Sequence, residues 1–289
     1  MTEAILTMGG STRLVDSLIS GLQNKDLFFS LGEVIPNLNS YDKVSYWMGG
    51  AYALQLQNIG LAKTLCSPGS SWLPELDINL SGRKIFGGTI HDLPDYGERK
   101  LWVKAAEAKI NDMPAKTYTY AEVRNIFDKN NFSSGIELQW TESILNIDFE
   151  HRFFIAEGQV ITGSPYKVHG VGYSKDIDFS KQSEAETFAQ FVVDSCGDNF
   201  PTYCTLDVAL NMVTNEWLVV EANRAWSSGL YGSNSQLALG VIDAACSYDG
   251  ERWQWKPDKH LIDLSKSWEP LKVIPSDDQT LGFFKYVKP

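Results

Sequence analysis

The sequence predicts a protein of mixed α/β and α+β class, with a small N-terminal α/β unit ahead of a larger body rich in antiparallel strands. Three observations carry that prediction. Over roughly the first ninety residues, short apolar runs of strand type alternate with segments of helical spacing, the signature of an α/β unit. From Ile136 onward, strand-like runs follow one another across short turns, as in hairpins. At 289 residues, 43% of them hydrophobic and 12% aromatic, the chain is long and apolar enough for two or three compact units.

The elements follow in order. Ala4 to Met8 is a short apolar strand, Gly9-Gly10-Ser11-Thr12 a turn, and Leu14 to Leu22 has helical spacing with Ser or Thr available as a cap. The glycines lack the spacing of a dinucleotide fingerprint, so this is a structural turn. Tyr41 to Trp47 is a strand and Ala51 to Ile59 a helix, and SPGSSWLP at 67–74 is rich in turn formers. In KLWVKAAEAK, Leu101 and Val103 alternate with Trp102 and Lys104, so a strand that buries the first pair turns Lys104 toward a cleft or solvent. Ile136 to Ile144, Phe149 to Ile155 and Gln159 to Thr162 read as strands, with Glu150 and Arg152 on one face of the second. Glu184 to Asp194 reads as an amphipathic helix. Thr202 to Asn211 and Glu216 to Asn223 form a hairpin with one acid in each strand, Asp207 and Glu221. The tail from Glu251 carries three tryptophans among charged residues and no clear pattern, as an appendage packed on the body would.

Composition excludes several classes of function. The formal net charge is −11 and no Lys/Arg block occurs, which argues against nucleic acid as a partner. The four cysteines form no CxxC pair and the four histidines no metal-binding spacing, so neither a zinc site nor a disulfide framework is expected. No basic segment followed by an apolar one opens the chain, and no run of about 18 apolar residues occurs, so a cytoplasmic protein without a membrane partner is expected.

One stretch points to chemistry. In WLVVEANRAWSSGLYG, from Trp217 to Gly232, an apolar strand leads into Glu221 and Asn223, two residues apart and therefore on one face, at the mouth of a glycine loop. Side by side they offer three oxygens to a hard cation; the plain alternative is a turn signal after a strand.

The order Lys104, Glu142, Glu150, Asp207, Glu221, Asn223 resembles the ATP-grasp superfamily over about Trp72 to Gly232. More narrowly, WLPELDINLSGRKI, LWVKAAEAKINDMPAKTY, FEHRFFIAEGQVITGSPY and VVEANRAWSSGLYG are similar to an uncharacterised group of bacterial and phage ATP-grasp domain proteins. The resemblance implies an ATP-grasp fold in which two lobes clamp ATP. On this basis residues 1–92 form the preceding α/β domain, 93–145 the small lobe, 146–250 the large lobe and 251–289 a C-terminal extension. It implies Asp207, Glu221 and Asn223 as ligands of two Mg2+ ions, with Mn2+ an acceptable substitute. Lys104, and Lys109 after it, would neutralise phosphates; Trp140, Thr141, Glu142, Ser143 and Ile144 would form the adenine hinge; Glu150 would accept the ribose hydroxyls.

The implied activity is ligation of a carboxylate to an amine through an acylphosphate, on amino-acid or peptide-like small-molecule substrates, in a monomer or an oligomer. A kinase that stops at phosphoryl transfer and a nucleotide-binding module without turnover are the alternatives. The chain departs from the wider pattern at Thr205, where many ATP-grasp ligases carry an arginine, and at Ala105, where the narrower group usually has proline. Arg152, Arg224 and Lys167 are the candidates for the missing catalytic cation.

Overall fold

The computed structural model describes residues 2–8, 18–107, 110–276 and 282–286. The turn expected at 9–12 and the first part of the helix expected over 14–22 lie outside the described residues; 18–21 are helical. Strands β1 (Glu3–Met8), β2 (Asp26–Ser30) and β4 (Lys43–Trp47) are parallel, with β1 between the other two, and β3 (Val34–Pro36) lies apart from them. Their near-continuous apolar runs suit a sheet covered on both faces, and Ile5, Leu6, Leu27 and Phe28 are fully buried. Helix α1 (Gly50–Asn58) follows β4 as expected, but its N-cap, Gly49, offers no side-chain cap.

Part of the turn-rich stretch at 67–74 winds into α2 (Trp72–Glu75), followed by α3 (Ile78–Ser81), whose N-cap Asp77 accepts from Asn79 N at 2.8 Å. A small antiparallel sheet comes next: β5 (Phe86–Gly88), β6 (Leu101–Ala105), β7 (Lys116–Tyr118) and β8 (Leu138–Thr141), in the order β5-β8-β6-β7. On β6 the alternation holds, with Leu101, Val103 and Ala105 buried against Trp140, Val123 and Phe127, and Lys104 on the other face. Helix α4 (Tyr120–Asn130) covers the core face and opens on a capping box, in which Thr119 and Glu122 satisfy each other's backbone N–H groups.

The larger antiparallel sheet comprises β9 (Ile147–Ala156), β10 (Gln159–Val168), β11 (Val171–Gly172), β12 (Tyr203–Asn211) and β13 (Glu216–Asn223), in the order β11-β10-β9-β12-β13. One face sends Phe153, Ile155, Leu206, Val208 and Val219 against Ala185, Ala189, Val192 and Val193 of α5 (Gln182–Cys196). On the other face, Phe154 joins Trp226, Leu230 and α6 (Ser235–Ala245) in the core that also holds the N-terminal sheet. Strand β10 runs six residues beyond its expected end, through Pro165. That proline is tolerated because β11 pairs only with Lys167 and Val168, which leaves β10 an edge strand at Pro165. Gly163 permits the close approach of β9, since a Cβ there would lie 2.2 Å from Phe153 Cδ1 and 2.6 Å from the Arg152 carbonyl.

The tail returns to the beginning of the chain. After α7 (Lys259–Ser265), β14 (Lys272–Ile274) pairs in parallel with β3, and β15 (Phe283–Tyr286) pairs antiparallel with β2, completing the order β15-β2-β1-β4. Phe283 is buried and packs edge-on against Phe28. Among the described residues no helix is long and apolar enough to cross a membrane. Phe283→Ala is expected to cost about 3–5 kcal/mol of unfolding free energy, because it empties a fully enclosed aromatic site. Equilibrium urea denaturation measures it, and a loss below about 1 kcal/mol would mean that β15 adds little to this core.

Candidate active site

The site begins with the register of the larger sheet. Asp207 on β12 is paired with Arg152 on β9 and with Glu221 on β13, and directly opposed residues share a face of the sheet. Arg152 grips Asp207 in a bidentate pair, Nε to Oδ1 at 2.7 Å and Nη2 to Oδ2 at 2.6 Å, and the Asp207 side chain is about 1% exposed. Asn223, two residues past Glu221 on the same face, donates through Nδ2 to Glu221 Oε1 at 2.9 Å and to Asp207 Oδ2 at 3.3 Å. Lys104 reaches across from the small sheet and donates to Glu221 Oε2. The lysine face predicted from β6 is thus the face that meets the acids of β13.

Irregular pairing aims these side chains. Asp207 pairs with Glu221 but Val208 pairs with Val219, so Val220 is an extra residue that re-aims β13 just before Glu221. Arg83, buried beneath, clamps this bulge by donating to the carbonyls of Val219 at 3.1 Å and Val220 at 3.3 Å; burial lowers its pKa to about 10. A second bulge places Tyr166 between Pro165 and Lys167, and Tyr166 and Lys167 then serve one acid. Glu150 accepts from Tyr166 Oη at 2.7 Å and from Lys167 Nζ at 2.6 Å. Arg152 therefore turns to Asp207, its cross-strand neighbour, and its guanidinium lies 5.4 Å from the ring centres of both Tyr166 and Tyr231.

Arg224 follows directly after β13. Its Nη2 donates to the Glu107 carbonyl at 3.0 Å, its Nη1 lies 3.7 Å from Glu107 Oε2, and the rings of Trp226 and Trp255 flank it at 5.0 and 5.7 Å. Nη1 is buried without a hydrogen-bond partner. Glu107 in turn accepts from Ser67 Oγ at 3.1 Å.

Four acids are thus matched by four cations: Glu221 with Lys104, Asp207 with Arg152, Glu150 with Lys167, and Glu107 with Arg224. Burial pushes the Glu221 carboxyl up, but Lys104 outweighs it and brings the pKa down to about 2. Burial likewise works against the charge of Arg152, and the contact with Asp207 overcomes it to hold Arg152 above its usual value. At Asp207, burial pushes upward, Arg152 pulls down, and Glu221 and Glu150 add a further upward push, leaving it raised. The short bidentate geometry is that of an ionised pair, and it decides between these influences.

A cleft of about 710 Å3 lies between the small sheet, the larger sheet and the start of α1, lined among others by Lys104, Arg152, Glu221, Asn223 and Arg224. The fold therefore brings those predicted residues together, with Asp207 beneath them. Glu150 and Lys167 do not line this cleft; they join it through Tyr166 and Arg152. Trp140 to Ile144 do not line it either. They end β8 and lead toward β9, the covalent link between the two sheets, where Glu142 bonds Arg99 Nη2 at 2.7 Å and Tyr96 Oη at 3.2 Å, and Ser143 N donates to Thr141 Oγ1. Lys109 lies outside the described residues. Thr205 is buried opposite Asn223 and shares a hydrogen bond with Ser228, so the position supplies no charge. Sequence reasoning missed Arg83, Glu107, Tyr166 and Tyr231; only Tyr166, inside a quoted motif, carried a local signal. Among the described residues no three His, Cys, Asp or Glu side chains gather as a metal cluster.

A family model described as an ATP-grasp domain, the second family of its clade, matches residues 80–241, more than half of the chain. Two solved structures share the fold. A D-alanine–D-alanine ligase from Bacillus anthracis is 13% identical and matches over 86% of this chain and 97% of its own, with a TM-score of 0.51. A D-alanine–D-alanine ligase from Coxiella burnetii is 13% identical over 86% and 96%, with a TM-score of 0.53. No curated protein matches the chain.

The Arg152–Asp207 pair makes a stability prediction. Arg152→Ala leaves a buried carboxylate without its partner and should cost about 3–5 kcal/mol, whereas the double change Arg152→Met with Asp207→Leu should recover most of that loss. Urea denaturation of both variants tests it. A double variant no more stable than the single one would refute the pairing argument.

Proposed function

Because the chain belongs to this family of ATP-grasp domains, we propose that it is an ATP-dependent carboxylate–amine ligase working through an acylphosphate. The observation that carries this reading is the interleaving of acids and cations in one cleft, with Asp207, Glu221 and Asn223 on one sheet and Lys104 reaching them from the other. Magnesium fits that donor set. Two carboxylates and an amide within hydrogen-bond reach of one another offer hard oxygen donors once the Asn223 amide presents its oxygen, and Glu221 is held ionised. Bound there, the metal supplies charge neutralisation and polarisation of the γ-phosphoryl group.

The remaining roles belong to the chain. Lys104 leaves Glu221 for the phosphates, and Arg152, kept in place by Tyr166 and Tyr231, turns its charge to the phosphoryl oxygens as the substrate carboxylate attacks and ADP leaves. A magnesium-loaded triphosphate is close to neutral overall, so exchanging the internal ion pairs for it changes the net charge of the cleft little. Glu150 accepts the ribose hydroxyls, with Lys167 and Tyr166 fixing its orientation, and the Trp140–Ile144 link reads the adenine edge. Arg224 orients the acceptor, whose amine then attacks the acyl carbon and expels phosphate.

Two measurements test this. With Mg-ATP at about a hundred times its Kd, linkage adds about 2.7 kcal/mol and should raise Tm by roughly 5–10 °C. Glu221→Gln should remove the magnesium-dependent part of that shift, and a wild-type melt indifferent to magnesium would count against the site. In steady-state kinetics, Arg152→Ala should lower kcat by about a hundredfold to a thousandfold with little change in KM for ATP. Arg224→Ala should act through KM for the acceptor. ADP formation that needs no amine would mark a kinase instead, and unchanged kcat in Arg152→Ala would remove that residue from catalysis.

A further inference from the structure

Glu107 and Arg224 form a corner of the cleft that differs from the phosphate end. Both side chains are largely enclosed, about 11% and 13% exposed, and both line the same cleft as Lys104 and Glu221. Their side chains do not satisfy each other. The closest approach, Arg224 Nη1 to Glu107 Oε2, is 3.7 Å, too long for a hydrogen bond, and Nη1 has no hydrogen-bond partner at all. A guanidinium nitrogen buried without an acceptor is costly and calls for one from a ligand. The neighbourhood is also built to keep it in place: Trp226 and Trp255 flank the guanidinium, and Gly50 leaves room for it, since a Cβ there would lie 2.8 Å from Nη1.

The charge of the corner selects its ligand. A lone anion such as phosphate would meet Nη1 but also the carboxylate of Glu107, and a lone cation would meet the reverse. An acid–base corner of no net charge is complementary to a molecule that is neutral overall and carries both poles close together. We infer that Glu107 and Arg224 bind the ammonium and the carboxylate of a free amino acid, which is one substrate of the ligation. Glu107 is the specificity-determining residue for the amino group. The inference rests on the ligase reading, in which a substrate has to lie in this cleft beside the phosphates.

Isothermal titration of the full chain, loaded with magnesium and a non-hydrolysable ATP analogue, tests it with the standard L-amino acids, D-alanine and D-glutamate as probes. Each is compared with its N-acetyl and methyl-ester derivatives. At least one free amino acid should bind about tenfold or more tightly than both blocked forms, the cost of leaving a buried charged group unpaired. Glu107→Gln, close to isosteric, should erase the discrimination against the N-acetyl form while leaving affinity for the nucleotide analogue unchanged; a merely structural pairing with Arg224 would not produce that selective loss. Binding of the analogue with no free amino acid taken up, or a Glu107→Gln variant that still rejects the N-acetyl form, overturns the inference and leaves the ligase reading standing. Failure of the analogue to bind overturns the ligase reading and this inference with it.

Discussion

Asp207 is enclosed on all sides, and a carboxylate in that position persists as an anion only if a cation is built in beside it. The rest of the site follows from this requirement. Arg152 is supplied by the strand next door at the directly opposed position, and its flat guanidinium is packed by Tyr166 and Tyr231. Because Arg152 is committed to Asp207, Glu150 takes its cation from elsewhere, and the bulge at Tyr166 delivers Lys167 and a phenol to it together. Glu221 draws Lys104 from the other sheet. Electrostatics thereby joins two sheets whose apolar cores are separate.

The position of the cleft depends equally on the core that the N-terminal sheet shares with the larger sheet. Trp226 lies fully buried in that core, donates to the Cys66 carbonyl at 2.8 Å, and flanks Arg224 with its ring. The start of α1 closes the same corner. The tail belongs to this arrangement as well, since Trp255 packs against Trp226 and β15 completes the N-terminal sheet. Residues far apart in the chain therefore set the geometry of one arginine.

In the proposed mechanism the internal ion pairs are the resting form of the same charges that handle nucleotide. Each acid that would hold metal is paired with a cation that would hold phosphate, so nucleotide and metal entering together exchange partners without stranding a buried charge. A metal without nucleotide, or nucleotide without metal, would leave Lys104, Arg152 or their acids uncompensated. The absence of an arginine at Thr205 fits this exchange, because Arg152 already stands against Asp207 from the adjacent strand.

The sequence by itself determined the features that local periodicity can report. Alternation placed Lys104 opposite the core face of β6 and set Glu221 and Asn223 side by side, and the motif order pointed to the ATP-grasp family. It also put Glu150 and Arg152 on one face, but their partners were decided only in the folded chain, because pairing depends on register between strands distant in sequence. Arg152 and Asp207 are 55 residues apart, Lys104 and Glu221 are 117. A one-residue bulge, invisible to periodicity, decides where Glu221 and Tyr166 point. Glu107 and the strands of the tail were illegible for the same reason: a lone acid and two short apolar runs acquire meaning only from the distant segments that the tertiary structure sets against them.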